Sequence, residues 1–185
     1  MHQEHITIKT GDDVVSFLKD QHERIKRLFG QVLAATGAQR QEAFQQLRRL
    51  MAIHETAEEE IVHPAAKRAL TDGEPIVARR LHEENLAKKE LTELESVDTN
   101  TAEFETRLRA LLAAVLAHAQ AEEREEFAQL AAKLEEPRLT RMRKAVELAE
   151  AIAPTRPHPG TESAAANLLA GPFLSMIDRA RDALN

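Results

Sequence analysis

The sequence predicts an all-α fold, an up-down-up-down four-helix bundle with additional helices at its C-terminal end. The composition is dominated by Ala, Leu, Glu, Gln, Arg and Lys, which favour helices, and the 185 residues include only six Gly and seven Pro. Apolar residues recur with the helical period in four segments of more than twenty residues each. The turns between these segments are short, so consecutive helices are expected to be antiparallel neighbours.

The four bundle helices have recognisable ends. Asp12 or Asp13 is placed to cap the first helix, and Gly37 suits a left-handed cap after its last turn. Pro75 suits the first position of the third helix, and "DTNT" supplies the turn and cap before the fourth. The predicted helices cover about residues 12–36, 39–70, 75–97 and 102–134, within a bundle domain of residues 12–135.

Residues 136–185 are predicted to form a helical extension. A fifth helix, over about residues 137–152, leads into the Pro-rich stretch "APTRPHPGTES". Two further helical pieces are broken at Gly171-Pro172, where proline cannot continue a helix. The apolar residues of this tail predict that it packs on the bundle or on a second copy of the chain, giving a homodimer.

Composition also excludes several classes of protein. The net charge of about −6 argues against nucleic acid as a partner, because phosphate binding requires a basic face. The absence of cysteine excludes disulfides and thiolate chemistry. The N-terminal stretch has no apolar signal region, and no apolar run approaches the length of a membrane span. A soluble cytoplasmic protein with no membrane partner is therefore expected.

Two of the predicted helices carry the same polar pair inside an apolar stripe. His54 and Glu58 occupy successive core-facing positions of the second helix, and His118 and Glu122 do so in the fourth. The two stripes are Leu47, Met51, His54, Glu58, Ile61 and Ala65, and Leu108, Leu111, Val115, His118, Glu122 and Glu125.

The first and third helices each add one histidine. His22 lies between Leu18 and Ile25, and His82 lies between Ala78 and Leu86. Counted from the turns, the four histidines and two glutamates fall at nearly the same height of antiparallel helices. Burying them without partners would be very unfavourable, whereas a cation would compensate their polarity. Donors that are all nitrogen or oxygen suit iron, manganese or zinc. The alternatives are a hydrogen-bonded polar core and a solvated surface.

The pattern His22, His54-x-x-x-Glu58, His82, His118-x-x-x-Glu122 resembles the hemerythrin-like family, also called the HHE cation-binding domain. The stretches "HETAEEEIVHPAAKRAL" and "HAQAEEREEF" carry the resemblance, which covers roughly residues 12–135, and the tail is similar to that of actinobacterial members. The resemblance implies a four-helix bundle with two carboxylate-bridged iron ions. It also implies a function in binding O2 or NO, in sensing oxygen or iron, or in handling peroxide such as H2O2.

The sequence departs from the oxygen carriers of that family in two ways. Leu86 stands four residues after His82, where the carriers have a second histidine, and Glu122 replaces an aspartate at a different spacing. The predicted ligands are therefore His22, His54, Glu58, His82, His118 and Glu122. A more open site favours redox turnover or sensing over O2 carriage, and catalase-like peroxide decomposition is one activity that the resemblance implies.

Further residues near the pattern are weaker candidates for an extra ligand. His63, about half a turn around the helix from His54, is predicted to lie beside the ligands or at the surface. Glu126 could approach the site, but it is predicted to lie on a solvated face or to accept from a histidine N–H. Glu55 or Glu83 could replace the missing ligand, and His158 could do so from its loop. The principal alternative to a redox protein is an iron- or oxygen-sensing or iron-handling module without turnover. A helical interaction protein with a vestigial site is a third hypothesis.

Overall fold

The computed structural model describes residues 13–152, and the regular elements in that range are all helical. They are α1 (Val14–Ala34), α2 (Gly37–Ala57), α3 (His63–Ala69), α4 (Gly73–Leu94), α5 (Ala102–Glu122), α6 (Ala128–Lys133) and α7 (Glu136–Ile152). The first π turn, Glu58–Val62, joins α2 to α3, and the second π turn, Glu123–Phe127, joins α5 to α6. Each of these pairs forms one long helix, and the predicted all-α bundle with an additional helix is confirmed.

The ends of the helices follow the local chemistry of the sequence. Asp13 caps α1, because its Oδ1 accepts from the N–H groups of Val15 at 2.8 Å and Ser16 at 3.0 Å. Gly37 adopts a φ of 56° and donates its N–H to Asn100 Oδ1 at 2.9 Å. This contact ties the turn between α1 and α2 to the turn between α4 and α5, at one end of the bundle.

Helix α4, the third of the predicted helices, begins at Gly73 rather than at the predicted Pro75. A Cβ atom at Gly73 would lie 2.6 Å from the carbonyl oxygen of Ala66. The close approach of α3 and α4 at this turn therefore requires glycine at the position.

Helix α7 packs against α1, α2 and the first π turn. It buries Leu139, Met142 and Val146 completely in this contact. No helix among residues 13–152 is long and apolar enough to span a membrane. The predicted helices after residue 152, the break at Gly171-Pro172 and His158 lie outside the described residues.

The interior of the bundle consists of two apolar cores separated by a polar layer. One core surrounds Leu18, Ile61 and Phe127, near the turn between α3 and α4. The other surrounds Phe29 and Phe104, at the end where α1 turns into α2. The helices pass between these cores through a layer of buried histidine and glutamate side chains. This layer is the position at which the sequence pattern predicted a site.

Candidate metal centre

Two groups of possible metal ligands meet in the polar layer. The first group contains His22, His54, Glu58 and Glu122, and its ligand atoms all lie within 4.8 Å of one another. The second contains Glu58, Glu84, His118 and Glu122, within the same limit. The two groups share Glu58 and Glu122, whose side chains are fully buried. The layer therefore offers two adjacent sets of nitrogen and oxygen donors with two carboxylates in common.

The three histidines turn their Nε2 atoms toward the shared carboxylates. His54 Nε2 lies 3.3 Å from Glu58 Oε2, and the Nε2 atoms of His22 and His118 each lie 3.3 Å from Glu122 Oε2. Two ligand atoms that are each about 2.1 Å from one metal ion lie roughly 3.0–3.4 Å apart around it. The observed separations therefore match the spacing of neighbouring ligands around an ion.

The other ring nitrogen of each histidine is held by a side-chain acceptor. His54 Nδ1 lies 2.7 Å from Gln21 Oε1, and His118 Nδ1 lies 2.9 Å from Glu83 Oε2. His22 Nδ1 lies 2.9 Å from Glu123 Oε1. An acceptor at Nδ1 favours the tautomer that carries its proton there, which leaves the Nε2 lone pair for a cation.

Several buried atoms of the layer make no well-directed hydrogen bond with any residue in the range 13–152. They include Nε2 of His22 and His118, and both carboxylate oxygens of Glu58 and Glu122. Burying such groups without a partner is strongly unfavourable, and buried charges are normally paired or bound to a metal. The residues present therefore fit a bound cation, which would satisfy all of these atoms together.

The electrostatics of the layer also reflect an excess of buried carboxylates. Burial and the charge of Glu122 raise the pKa of Glu58 well above its usual range. Burial opposes ionisation of Glu122 as well, but His118 and His22 hold the pKa of that carboxyl well below its usual range. Burial, together with the charge of His22, lowers the pKa of His54. Closely spaced acids and bases thus compete for protons in a place where a metal ion would supply positive charge.

Helix α4, the third helix of the sequence prediction, does not turn the predicted face toward the core. His82 and Ala78 are exposed, and Leu86 is 52% exposed, so the prediction that this stripe faces the core is wrong. The buried face of α4 instead carries four polar residues, Arg80, Glu84, Asn85 and Lys88. Because the middle of the buried face is polar, the apolar residues Ala78 and Leu86 indicated the opposite, exposed side of α4. Glu84 belongs to the second ligand group, and His82 belongs to none among residues 13–152.

His63 is the residue whose position differs most from the expectation. It is buried, with Nδ1 2.9 Å from Glu126 Oε1 and Nε2 2.6 Å from Glu84 Oε1. A π turn adds one residue to a helical turn, which rotates the following residues by about 100° relative to an α-helix. The first π turn thereby brings His63 to the side of Glu58 and Glu122. His63, Glu122 and Glu126 form a third convergent group.

Glu55 and Glu83, the other candidates for an extra ligand, do not join these groups among the described residues. Glu83 accepts from His118 instead. Glu55 is buried close to Glu59 and Lys88, which form an ion pair with each other. Burial raises the pKa of Glu55 to about 8, against the opposing charge of Lys88. These residues form a second layer of charge around the centre.

Comparison with known proteins gives one result. The model of the hemerythrin HHE cation binding domain matches residues 13–130, which include all five predicted ligands that converge and Glu84. No match was found among curated proteins or among solved structures.

Proposed function

Because the chain belongs to the hemerythrin HHE cation-binding domain family, we propose that it holds two iron ions and binds O2 or NO or decomposes peroxide with them. The family and the buried His/Glu groups make the chain a metal-binding helical module. The observation that carries the di-iron proposal is the sharing of Glu58 and Glu122 between two adjacent ligand groups. Two carboxylates in common are what a bridged pair of ions requires.

The proposed ligands are His22, His54, Glu58, Glu84, His118 and Glu122, with Glu84 in the place first expected for His82. Iron is proposed because carboxylate-rich sites in bundle cores suit it, and because the donor set contains no sulfur. Iron bound there would supply a Lewis acid and a change of oxidation state.

The protein's own residues prepare the centre for such a ligand. Gln21, Glu83 and Glu123 fix the histidine rings through Nδ1, so that the ligand atoms are oriented before any ion arrives. Phe127 stacks on His22 with ring centroids 5.6 Å apart and so covers one face of the imidazole. The chain is further proposed to be cytoplasmic, with residues 136–185 acting as an extension that contacts the bundle or a second copy.

The first experiment is elemental analysis of the full chain, expressed in iron-replete medium and purified without chelators. About two irons per chain are expected, and Glu122→Gln is expected to lose most of them. Glu42→Gln, an exposed substitution on α2, is the matched control and keeps the wild-type content. A folded wild-type chain with no metal, or with zinc alone, would overturn the proposal.

Peroxide decomposition is then tested by O2 release from H2O2, two molecules of which yield two of water and one of O2. If the wild type releases O2 from H2O2, and Glu122→Gln loses both its iron and this activity, the result supports catalytic peroxide decomposition. Iron binding with reversible O2 or NO uptake and no O2 release from H2O2 identifies a sensor or binding module instead.

A further inference from the structure

A cavity of about 820 Å³ opens beside the metal centre, between α1, α2, α4 and α5. Four of the candidate ligands, His22, His54, Glu84 and His118, line this cavity. The ligands that the family resemblance implies are far smaller, since a molecule the size of water occupies about 30 Å³. Cavities of ~300–1,000 Å³ are those that enclose drug-sized molecules. The volume is therefore much larger than O2, NO or H2O2 requires.

The wall of this cavity is mainly apolar. Ile25, Phe29 and Met51 line one side, and Leu111 and Val115 line the side formed by α5. Leu86 and Leu116, which also line it, are 52% and 39% exposed. They are the two large apolar side chains that are exposed to solvent within residues 13–152. An apolar cavity with exposed leucines in its wall suits an aliphatic chain, because burying that chain removes both surfaces from water.

The charged groups of the wall indicate the type of head group. Glu23, Glu83, Glu90 and Glu123 contribute carboxylates, whereas Lys26 is the single lysine or arginine of the described wall. Lys26 Nζ lies 3.5 Å from Glu23 Oε1, and Arg80 and Arg107, from outside the wall, pair with Glu83 and Glu90. Glu55 and Glu84 also line the cavity, so carboxylates outnumber cations in the wall itself, which disfavours an anionic ligand. A neutral head group avoids this repulsion.

We propose that the cavity binds a neutral aliphatic molecule of medium chain length, with its small oxygen-bearing head at His118 and its chain toward Leu86 and Leu116. For a centre that handles peroxide, this ligand is an alkyl hydroperoxide, which is uncharged at neutral pH. The identity of the head group rests on the proposed function, whereas the place of the chain rests on the apolar wall alone.

The test is calorimetric titration of the full, metal-loaded chain with 1-decanol, a neutral analogue that has no peroxide bond. Saturable binding of one molecule per chain is expected, with decanoate at pH 7.5 weaker by about tenfold or more. Ala114→Phe places a ring in the cavity wall and should weaken decanol binding by at least about tenfold. Ala113→Phe makes the same change one residue earlier on α5, outside the lining residues, and should stay within about twofold.

A second variant tests the site without filling it. Leu86→Gln replaces an exposed leucine of the wall and should weaken decanol binding while the thermal midpoint stays unchanged. Absence of saturable decanol binding, equal loss in Ala113→Phe and Ala114→Phe, or decanoate binding as tightly as decanol would each overturn the inference. Failure of the proposed function is a separate result. It would appear as a chain without iron, or without any reaction with O2, NO or H2O2, that still binds decanol.

Discussion

Gln21 Oε1 lies 2.7 Å from Nδ1 of His54, and through Gln21 the candidate metal centre is connected to α7, the helix outside the four-helix bundle. The same amide donates through Nε2 to Glu150 Oε1, at 2.6 Å, on α7. A neutral amide oxygen can only accept, so it favours the proton of His54 on Nδ1. The opposite nitrogen, Nε2, is then free for an ion. Helix α7 thus helps, through Gln21, to set the orientation of a candidate ligand on α2.

Replacing Gln21 with leucine should weaken metal binding. The substitution keeps a side chain of similar size but removes the acceptor at His54 Nδ1, and loss of such a partner typically lowers metal affinity by about 10–100-fold. Competition with a chelator of known affinity measures the effect. Gln31→Leu, an exposed change on α1, serves as the control. Equal metal affinity in both variants would contradict this role for Gln21.

Helix α4 carries two candidate ligands, Glu84 and His82, which can be tested as a pair. Glu84→Gln should lower the metal content per chain, because Glu84 belongs to a convergent ligand group with Glu58, His118 and Glu122. His82→Ala should leave it unchanged, because His82 is exposed. Elemental analysis of both variants decides the matter. The reverse outcome would return His82 to the centre and exclude the observed face of α4.

Substitution in the apolar core far from α7 should affect stability without affecting metal content. Phe104 is fully buried and meets Phe44 edge to face, with ring centroids 5.0 Å apart. Phe104→Ala should lower the free energy of unfolding by about 3–5 kcal/mol, through lost burial and the cavity that remains. Urea unfolding of the metal-free chain gives this value, and a change below 1 kcal/mol would be inconsistent with the packing described.

The contact between α7 and α1 should depend on pH through Glu150. Burial raises the pKa of Glu150, and the nearby charge of Glu147 adds to this rise while the hydrogen bond from Gln21 opposes it. A raised folded-state pKa means that the folded chain disfavours the anion. Stability is therefore lost as the pH rises above the unfolded value.

Glu150→Gln should match the wild type in acid, where both side chains are neutral, and should be the more stable of the two at pH 7.5. Thermal midpoints measured across this range test the sign. Glu42→Gln, exposed on α2, should show no such trend. A wild-type chain that gains stability over the variant with rising pH would refute the expected direction.

The sequence was sufficient to predict the bundle and five of the residues that converge, because the second and fourth long helices carry their polar pairs inside apolar stripes. Leu47, Met51 and Ile61 mark the buried face beside His54 and Glu58. Helix α4 was a weaker guide, since its buried face has Val77 and Leu91 near its ends but Glu84 and Lys88 between them. A rule that places apolar residues inside fails where the interior is charged.

The place of His63 could not be derived from helical periodicity for a different reason. Nine residues after His54, it falls on the opposite side of a regular α-helix. The first π turn changes the count by one residue, and His63 then faces Glu84 and Glu126. The available signal was the run of glutamates within Glu58–Val62. Such a run beside buried histidines indicates a functional site, and π turns occur often at functional sites.

The polar layer that divides the interior has a consequence for how the chain unfolds. Apolar packing makes a domain cooperative, yet here it is interrupted by a layer of carboxylates and imidazoles, several of whose atoms lack a well-directed hydrogen bond within residues 13–152. Ions held in both ligand groups would together link α1, α2, α4 and α5, and would so join the two apolar cores across the layer. Without bound ions, we expect the two apolar cores to unfold locally and independently, so that amide hydrogens exchange in one core without exchange in the other.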